Sequence, residues 1–397
     1  MSVHQFEQDQ GARNRNRVIT EILRSPGLSR TDIGNAVGLN VASVSRITRD
    51  LIDANLIRES DAFGPKGRPG RRSVGLKPYG DGGYIIGIGL NAFRQSVTLA
   101  DLENRKIAEW VSNDTPSKDG EAFVRLCLAQ AAEMLRSHVP DRSRFFGVGM
   151  AVAAELSNNR EQILRAPVFG WDKSIAVSKI VREVLDAPLA LDTPTSAINK
   201  AEAYCGLGNG IANLTTLHCS LGFGIGVRQQ GAVNGSVQEF GRVLTESKAP
   251  DGSGRTLSQA CGGLSVLEVT RGSITLSGQS DVILSAMLVE DVDRAENDTQ
   301  IQALLNERGK CTAEYFSLVL ELCKPERVLL AGPLAKSRDY VLGFEQALST
   351  SLGHLDCLPD VRCTDMTPTG ASRWLSLRAN VAMGNLDLAS LKQVTAA

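Results

Sequence analysis

Two arginines, Arg46 and Arg49, follow a run of small residues at a spacing that brings them to one face of a helix. A guanidinium group presents its donors as a planar fork, so it can hold a guanine edge or a phosphate with two hydrogen bonds. Ala42, Ser43 and Ser45 precede the arginines, and such small side chains let a helix approach another molecule closely. The pattern therefore predicts a helix face that contacts DNA bases and phosphates.

Two helices separated by a tight turn must hold this face. Ser29 is a typical N-cap residue and predicts a first helix that runs to about Val37. Gly38 supplies the turn, and Asn40 caps the second helix. Four apolar residues at helical spacing form the predicted buried stripe of the second helix: Val41, Val44, Ile47 and Leu51. Ser29, Arg30 and Asn40 complete the predicted DNA contacts of this motif.

The flanking segments extend the motif to a winged helix-turn-helix over residues 12–63. Upstream, four apolar residues predict an amphipathic helix that packs behind the pair: Val18, Ile19, Ile22 and Leu23. Downstream, Leu56 and Ile57 continue the apolar pattern into a short strand. This order of elements is typical of a DNA-binding head.

Residues 64–81 are predicted to form a basic Gly-Arg-Pro linker. Its first nine residues hold four cations and no carboxylate. Arg68 is predicted to enter a narrow minor groove, where the negative potential is enhanced. Lys66, Arg71 and Arg72 are further predicted DNA contacts in this segment. The alternative interpretation is an interdomain linker that is basic by chance.

Charge is unevenly distributed along the 397 residues. Residues 1–75 hold 12 Lys and Arg against 8 Asp and Glu, a balance of +4, while the whole chain has a net charge of −1. A positive head on a slightly acidic body suits a protein that binds a polyanion with one part only. No apolar run approaches the ~20 residues needed to span a membrane. No signal peptide opens the chain, so a cytoplasmic protein without membrane contact is expected.

Cysteine and histidine are scattered in a way that predicts no metal site. None of the eight cysteines forms a Cys-x-x-Cys pair, and the four histidines lie far apart. In a cytoplasmic chain the cysteines are expected to be reduced, buried, small apolar residues. No metal or other cofactor is predicted.

From about residue 82 the pattern becomes mixed α/β. Strands are predicted at 84–90, 95–101, 145–152, 189–191, 214–221 and 327–331, the first two as a hairpin. Helices are predicted at 122–137, 175–185, 196–204, 313–322 and 371–383. Gly222, Gly224 and Gly226 predict a glycine loop, which is either a partial phosphate loop or a bend leaving a strand.

Three segments of the body carry a resemblance to a known family: Asp-Thr-Pro-Thr-Ser-Ala at 192–197, Val-Gln-Glu-Phe-Gly-Arg at 237–242 and Cys-Gly-Gly-Leu-Ser-Val-Leu-Glu at 261–268. With the head and the linker, they resemble the transcription-factor branch of the ROK family (repressors, open reading frames and sugar kinases) from Asn14 onward. The resemblance implies a winged helix-turn-helix on a two-lobed α/β body of the actin-like, ribonuclease H-like fold. Lobe 1 is expected over 82–195, completed by a C-terminal helix at 371–390, and lobe 2 over 196–370.

The residues that family kinases use for phosphoryl transfer are replaced. An Asp-x-Gly-Gly-Thr phosphate loop would follow the first strand of the body, but residues 89–93 read Gly-Leu-Asn-Ala-Phe. The family's Asn-Asp pair, which supplies the catalytic base, corresponds to Thr193 and Pro194. Proline cannot accept a proton, and Asp192 is predicted to point elsewhere. Neither kinase activity nor nucleotide binding is expected.

The zinc site of the family is nearly erased as well. The resemblance places its histidine at Arg242 and its three cysteines at Gln259, Cys261 and Val266. One thiolate cannot complete a tetrahedral zinc site. Cys261 is therefore interpreted as a buried remnant.

Some features of a sugar site persist. Glu239 and Glu268 occupy the positions of two family glutamates that hydrogen-bond ring hydroxyls, and Trp171 lies where a loop borders the sugar. Thr193 and Arg242 complete the predicted effector contacts, and Arg242 favours an anionic or modified sugar. Alternatively, Arg242 fills the space left by the metal, and the glutamates form salt bridges, such as Glu239 with Arg242.

Three hypotheses for function follow. The first is a homodimeric or homotetrameric regulator, by default a repressor, that binds operator DNA and responds to a sugar-related effector. The second is a regulator whose body has lost small-molecule binding and responds to a partner protein or serves only oligomerisation. The third is an active carbohydrate kinase with a DNA-binding head.

Overall fold

The structure, a computed structural model, describes residues 3–61, 74–92, 94–114, 116–237, 240–248, 252–353, 358–384 and 386–394. The described residues form a head and two α/β lobes. No described helix combines the length and the apolar sequence required to cross a bilayer.

The head combines helices with a small antiparallel sheet. Its elements are α1 (Val3–Arg24), β1 (Leu28–Ser29), α2 (Arg30–Val37), α3 (Val41–Asp53), β2 (Ile57–Asp61) and β3 (Val74–Pro78). The strand order is β1-β3-β2. This is the predicted winged helix-turn-helix, but β3 lies inside the segment predicted as linker. Leu76 is fully buried in the head core, and the glycine-rich, basic composition before β3 concealed its short apolar pattern.

Local chemistry sets the helix boundaries of the head as predicted. Ser29 caps α2 and forms a capping box with Asp32, and Asn40 caps α3. Gly38 adopts φ 62°, a left-handed conformation that glycine tolerates well. The prediction that Val41 is buried is wrong, because Val41 begins α3 and its side chain is 48% exposed, beyond the packed core.

Lobe 1 is built on a five-stranded sheet of order β10-β7-β4-β5-β6. Its elements are β4 (Tyr84–Leu90), β5 (Gln95–Asp101), β6 (Lys106–Ser112), α4 (Gly120–His138), β7 (Phe145–Val152), β8 (Glu155–Leu156), β9 (Ile163–Arg165), α5 (Val177–Leu185) and β10 (Leu189–Asp192). Strands β4, β5 and β6 are antiparallel, β7 pairs in parallel with β4, and β10 pairs in parallel with β7. The predicted hairpin of β4 and β5 is confirmed.

Lobe 2 repeats this sheet with the order β13-β12-β11-β16-β17. Its elements are α6 (Pro194–Cys205), β11 (Leu214–Cys219), β12 (Phe223–Gln229), β13 (Ala232–Val237), β14 (Leu244–Lys248), β15 (Gly254–Thr256), α7 (Leu257–Cys261), α8 (Gly263–Arg271), α9 (Ser273–Leu276), α10 (Asp281–Arg294), α11 (Thr299–Cys323), β16 (Arg327–Ala331), α12 (Arg338–Ser351) and β17 (Asp360–Cys363). Two lobes with the same strand order confirm the fold that the resemblance implies.

The glycine loop predicted at 222–226 is largely a strand. Gly224 and Gly226 lie in β12, which pairs with β11. A Cβ atom at Gly224 would lie 2.5 Å from Thr195 Oγ1, and one at Gly226 would lie 2.9 Å from the Thr195 carbonyl oxygen. These glycines therefore let α6 pack closely on the lobe 2 sheet.

The C-terminal segment returns to lobe 1, with two helices in place of the single helix predicted at 371–390. Helix α13 (Pro368–Ser376) continues into a π-helical segment, Leu377–Ala382, and α14 (Leu388–Val394) follows. Gly149 on β7 leaves room for α13, because a Cβ there would overlap the Ser372 carbonyl oxygen.

The prediction that all cysteines are reduced is wrong for one pair. Cys261 at the end of α7 and Cys311 on α11 are joined by a disulfide, with Cα atoms 5.8 Å apart. The two helices pack in the lobe 2 core and bring together residues 50 positions apart. Cys363 is exposed.

Head and body share one apolar core. It combines head residues with residues of lobe 1 and the C-terminal segment, among them Ile22, Leu56, Leu76, Ile85, Phe146 and Val381. Buried Arg144 adds polar contacts across this boundary. It donates to the carbonyl oxygens of Ala54 at 2.7 Å, Gly82 at 3.3 Å and Leu391 at 2.9 Å. The head is thus fastened directly to the body.

Candidate functional sites

The outer face of α3 carries the predicted nucleic-acid contacts. Ala42, Arg46 and Arg49 are exposed, and Ser43 and Ser45 are half-buried. Within the described part of the chain, neither arginine forms an ion pair. Their guanidinium groups are available to bases or phosphates.

The carboxylates of α3 lie against the body instead. Lys392 on α14 contacts Asp50 at 2.8 Å and Asp53 at 3.6 Å. Because these negative charges are compensated there, the arginine face keeps its positive charge. The arrangement suits a helix that approaches phosphates.

Two predicted DNA contacts have structural roles. Ser29 is buried and its hydroxyl takes part in the α2 capping box, so its side chain does not face outward. Arg30 donates to Thr48 Oγ1 at 3.1 Å and pairs with Glu59 on β2 at 2.9 Å. These bonds hold α2, α3 and the wing together. Lys66, Arg68, Arg71 and Arg72 lie outside the described residues, so their DNA contacts stay predictions.

A cleft of about 730 Å³ opens between the lobes at the carboxyl ends of β7 and β10. Its walls include Thr193 after β10 and Glu155 after β7, with Arg242 and Asp281 from lobe 2. Parallel strands of α/β sheets bind ligands at this end. The cleft is the candidate effector site.

The lining of the cleft contains charges of both signs, from three arginines and two carboxylates. Arg165 pairs with Glu155, and Arg160 lies 3.3 Å from Asp192. The hydrogen bond from Arg165, with the nearby charge of Arg242, lowers the pKa of Glu155. Burial raises the pKa of Asp281. Such a lining can bind hydroxyl groups and a limited amount of charge.

The structure brings only some of the predicted effector residues to this cleft. Thr193 and Arg242 line it. Glu268 does not line the cleft and forms a salt bridge with Arg255. This agrees with the alternative that the glutamates form salt bridges, although the partner is not the one named as an example. Glu239 lies outside the described residues. The effector roles of Thr193, Arg242 and Glu239 stay predictions.

The prediction that Trp171 borders the effector is wrong. Its side chain is 1% exposed and packs against Phe123 and Phe169 in the lobe 1 core. Its indole Nε1 donates to the Ser117 carbonyl oxygen at 2.8 Å, so its polar atom is satisfied inside the lobe. Burial of a large aromatic ring whose polar atom has an internal hydrogen-bond partner stabilises the fold more than leaving the ring exposed at the cleft.

Sequence reasoning missed Glu155, Arg160, Arg165 and Asp281, which line the cleft. The first three follow β7 within 13 residues, but Asp281 lies more than 100 positions later. The buried strand 145–152 was the only available signal, since polar residues after such a strand meet at its carboxyl end.

The positions of the kinase base do not offer a base to the cleft. Thr193 caps α6 and Pro194 is its first residue. Asp192 is buried, accepts a hydrogen bond from Ser196 Oγ at 3.0 Å and pairs with Lys200. It does not line the cleft, which agrees with the prediction that it points elsewhere.

The residues at the family's zinc positions do not fit a zinc ion. Cys261 is bonded to Cys311, Gln259 closes the capping box of α7 and Val266 is fully buried in an apolar core. Arg242 is cationic and exposed. No group of three or more His, Cys, Asp or Glu side chains suited to a metal occurs among the described residues.

Comparisons with known proteins agree with the two-part architecture. The ROK family model matches residues 85–372, and a model described as winged helix-turn-helix DNA-binding matches residues 12–58. A xylose repressor from Caldicellulosiruptor bescii is 28% identical over 54% of this chain, a match that spans about half of that protein (53%). The Escherichia coli DNA-binding transcriptional repressor Mlc is 20% identical over 79% of each chain.

A solved structure gives the same fold over nearly the whole chain. The crystal structure of a ROK family transcriptional regulator, described as a homologue of E. coli Mlc, has a TM-score of 0.73. It is 18% identical and covers 96% of this chain and 99% of that one.

Proposed function

The chain belongs to the ROK family, and from that premise we propose that it is a DNA-binding repressor of genes for carbohydrate uptake or catabolism. A sugar-related effector in the interlobe cleft controls it, and it has no kinase activity. The relatives named as repressors support the class.

The observation that carries the proposal is the charge arrangement on α3. Arg46 and Arg49 point outward, while Lys392 compensates Asp50 and Asp53 on the side of the body. A helix that is exposed, capped by Asn40 and positive on one face fits the major groove. A homodimer or homotetramer would present two such helices to successive major grooves.

The cleft supports control by a small polar molecule. Its volume of about 730 Å³ suits a sugar derivative, and its charged lining suits hydroxyl groups. Arg242 favours a sugar that carries negative charge. An effector that prefers the closed lobes would shift operator affinity by its differential affinity for the two states.

The absence of a base supports a regulator rather than a kinase. General-base help to a sugar hydroxyl needs a carboxylate within hydrogen-bond reach. Thr193 and Pro194 begin α6 where that carboxylate is needed, and Asp192 is committed to Lys200 and Ser196.

A second candidate function has its own support. Trp171 is buried, and Glu268 is paired with Arg255. Both fit a body that has lost small-molecule binding and that responds to a partner protein or serves only oligomerisation.

Sequencing of genomic fragments retained by the purified protein at physiological salt tests DNA recognition. We expect enrichment of a palindromic site beside genes for sugar transport or catabolism. The control is the double variant Arg46→Ala/Arg49→Ala, whose substitutions lie on the exposed face. Equal enrichment by both proteins, or none by either, would contradict the proposal.

Thermal unfolding with a panel of sugars and sugar phosphates tests the effector. A ligand of the cleft raises the unfolding temperature of the wild type, because ligand bound only to the native state stabilises it. We expect Arg242→Gln to reduce this rise and to leave the unliganded protein unchanged. If no compound on the panel stabilises the wild type, the second candidate function is favoured.

A further inference from the structure

A separate cavity of about 940 Å³ lies where the head meets both lobes. Its walls come from α1, the end of α2, α6, the turn between β12 and β13, and the π-helical segment. One occupant would therefore contact the head and both lobes at the same time. We call it the junction cavity, and its cationic lining consists of Arg13, Arg17, Arg24, Lys200, Arg228 and Arg378.

The charge of the junction cavity is strongly one-sided. Among the described residues, Glu21 is the only carboxylate in its lining, and it lies 3.6 Å from Arg24. Lys200 pairs with Asp192 outside the lining. Arg228 and Arg378 form no ion pair with any described carboxylate. The cavity thus keeps uncompensated positive charge.

Two nitrogen donors in the lining are also unsatisfied. The Nε atoms of Arg24 and Arg228 are buried and have no hydrogen-bond partner among the described residues. Burial, together with the charges of Arg378 and Arg24, lowers the pKa of Arg228. Buried donors without acceptors and like charges near one another both cost free energy. An anion in the cavity would offset both costs.

Helix α6 connects the junction cavity to the interlobe cleft. Its N-cap residue, Thr193, lines the cleft, and the helix carries Lys200 and Tyr204 to the lining of the junction cavity. The Tyr204 hydroxyl donates to the Thr20 carbonyl oxygen on α1 at 3.0 Å. A ligand held here would restrain the head relative to the helix that senses the cleft.

We propose that the junction cavity binds a small phosphate-bearing anion and that this anion clamps the head to the two lobes. Phosphate is the chemistry shared by sugar phosphates, nucleotides and pyrophosphate. The clamp would regulate the orientation of α3, and in this respect the inference rests on the proposed function. The binding itself does not depend on that function.

Calorimetric titration of the full chain with inorganic pyrophosphate at low salt tests binding without DNA. We expect one site per chain, and at least tenfold weaker binding in the double variant Arg228→Gln/Arg378→Gln. The matched control is Arg136→Gln, which removes an exposed arginine from α4 and is expected to bind like the wild type. Absence of binding, or equal binding by the double variant, would overturn the proposal.

Two further measurements keep the test decisive. Without pyrophosphate, the double variant is expected to unfold close to the wild-type temperature, because the loss of two repelling charges offsets the loss of the hydrogen bond from Arg228 to the Ala203 carbonyl oxygen. If the double variant fails to fold, the single variant Arg378→Gln replaces it, and it is expected to bind pyrophosphate more weakly than the wild type. The proposal would be overturned if the wild type does not bind pyrophosphate and the double variant loses salt-dependent affinity for DNA. That result would mean that the cavity binds the DNA backbone instead.

Discussion

The α3 face and the interlobe cleft both present arginines, but the carboxylates lie in different places relative to those arginines. On α3, Asp50 and Asp53 are drawn to Lys392, and Arg46 and Arg49 face solvent alone. In the cleft, the carboxylates lie beside the arginines, as in the pair of Arg165 and Glu155. The α3 face is organised for a polyanion and the cleft for a polar molecule of low charge. Net charge does not distinguish them, but the position of the counter-charges does.

The α3 face belongs to the head and the cleft belongs to the body, so the comparison requires a rigid connection between head and body. Substitution of Arg144 is the most severe test of that connection. Arg144→Ala removes the buried donors that hold the carbonyl oxygens of Ala54, Gly82 and Leu391. We expect the free energy of unfolding to fall by about 3 kcal/mol, because hydrogen bonds to a charged group are lost and buried acceptors are left unsatisfied. Urea denaturation measures this change. Arg136→Ala is the control, with an expected change of at most about 0.5 kcal/mol. Equal midpoints for both variants would argue against the fastening role.

The α3 face is tested by single substitutions. Arg46→Ala and Arg49→Ala are each expected to weaken operator binding by ~1–3 kcal/mol if the side chain reads a base edge. A side chain that meets only phosphate would instead lower binding evenly across sequences and reduce the salt slope by about one. Fluorescence anisotropy with operator and scrambled duplexes at several salt concentrations separates these outcomes. Unchanged binding by both variants would remove α3 from the interface.

Arg68 extends the same test to the segment outside the described residues. Arg68→Ala is expected to weaken binding to A/T-rich sites most, since a narrow minor groove attracts arginine. Anisotropy with duplexes that differ only in the flanking A/T content measures the effect. Equal loss on all duplexes would rule out the minor-groove assignment.

Lys392→Ala tests whether neutralising the carboxylates of α3 on the side of the body matters for DNA binding. Of these substitutions it has the smallest expected effect. The pair with Asp50 is partly exposed, so little change in stability is expected. DNA affinity should fall a few-fold, and the loss should shrink at high salt because the freed carboxylates are screened. If affinity is unchanged at every salt concentration, the carboxylates of α3 do not influence the DNA-facing side.

Local features of the head were predictable from the sequence. Ser29, Gly38 and Asn40 act through hydrogen bonds and backbone conformations within a few residues, so their types alone indicate the two helices. Strands β4, β7 and β16 of the body were predictable for a similar reason, since each carries a nearly continuous run of apolar residues and glycine. Strands with a more polar sequence, such as β6 and β17, were not predicted. The hairpin of β4 and β5 needs only a short connection.

Features that depend on distant partners were not predictable. Trp171 is buried by neighbouring Phe169 and by Ser117 and Phe123, and the last two lie about 50 positions earlier in the chain, outside its own segment. Cys261 meets Cys311 only because α7 packs on α11. Gly224 and Gly226 mimic a phosphate loop, but close approach of α6 explains them. The cleft residue Asp281 joins its neighbours only through the packing of the two lobes.

The shared core of head and lobe 1 has a consequence for protein engineering. A head of this kind is not an interchangeable module, because part of its interior belongs to the body. A chimaera that carries residues 1–78 onto another regulator would leave the Ala54 carbonyl without Arg144 and expose Ile22 and Leu56 to water. Such a graft must bring along the patch of lobe 1 and the C-terminal helix that complete the head.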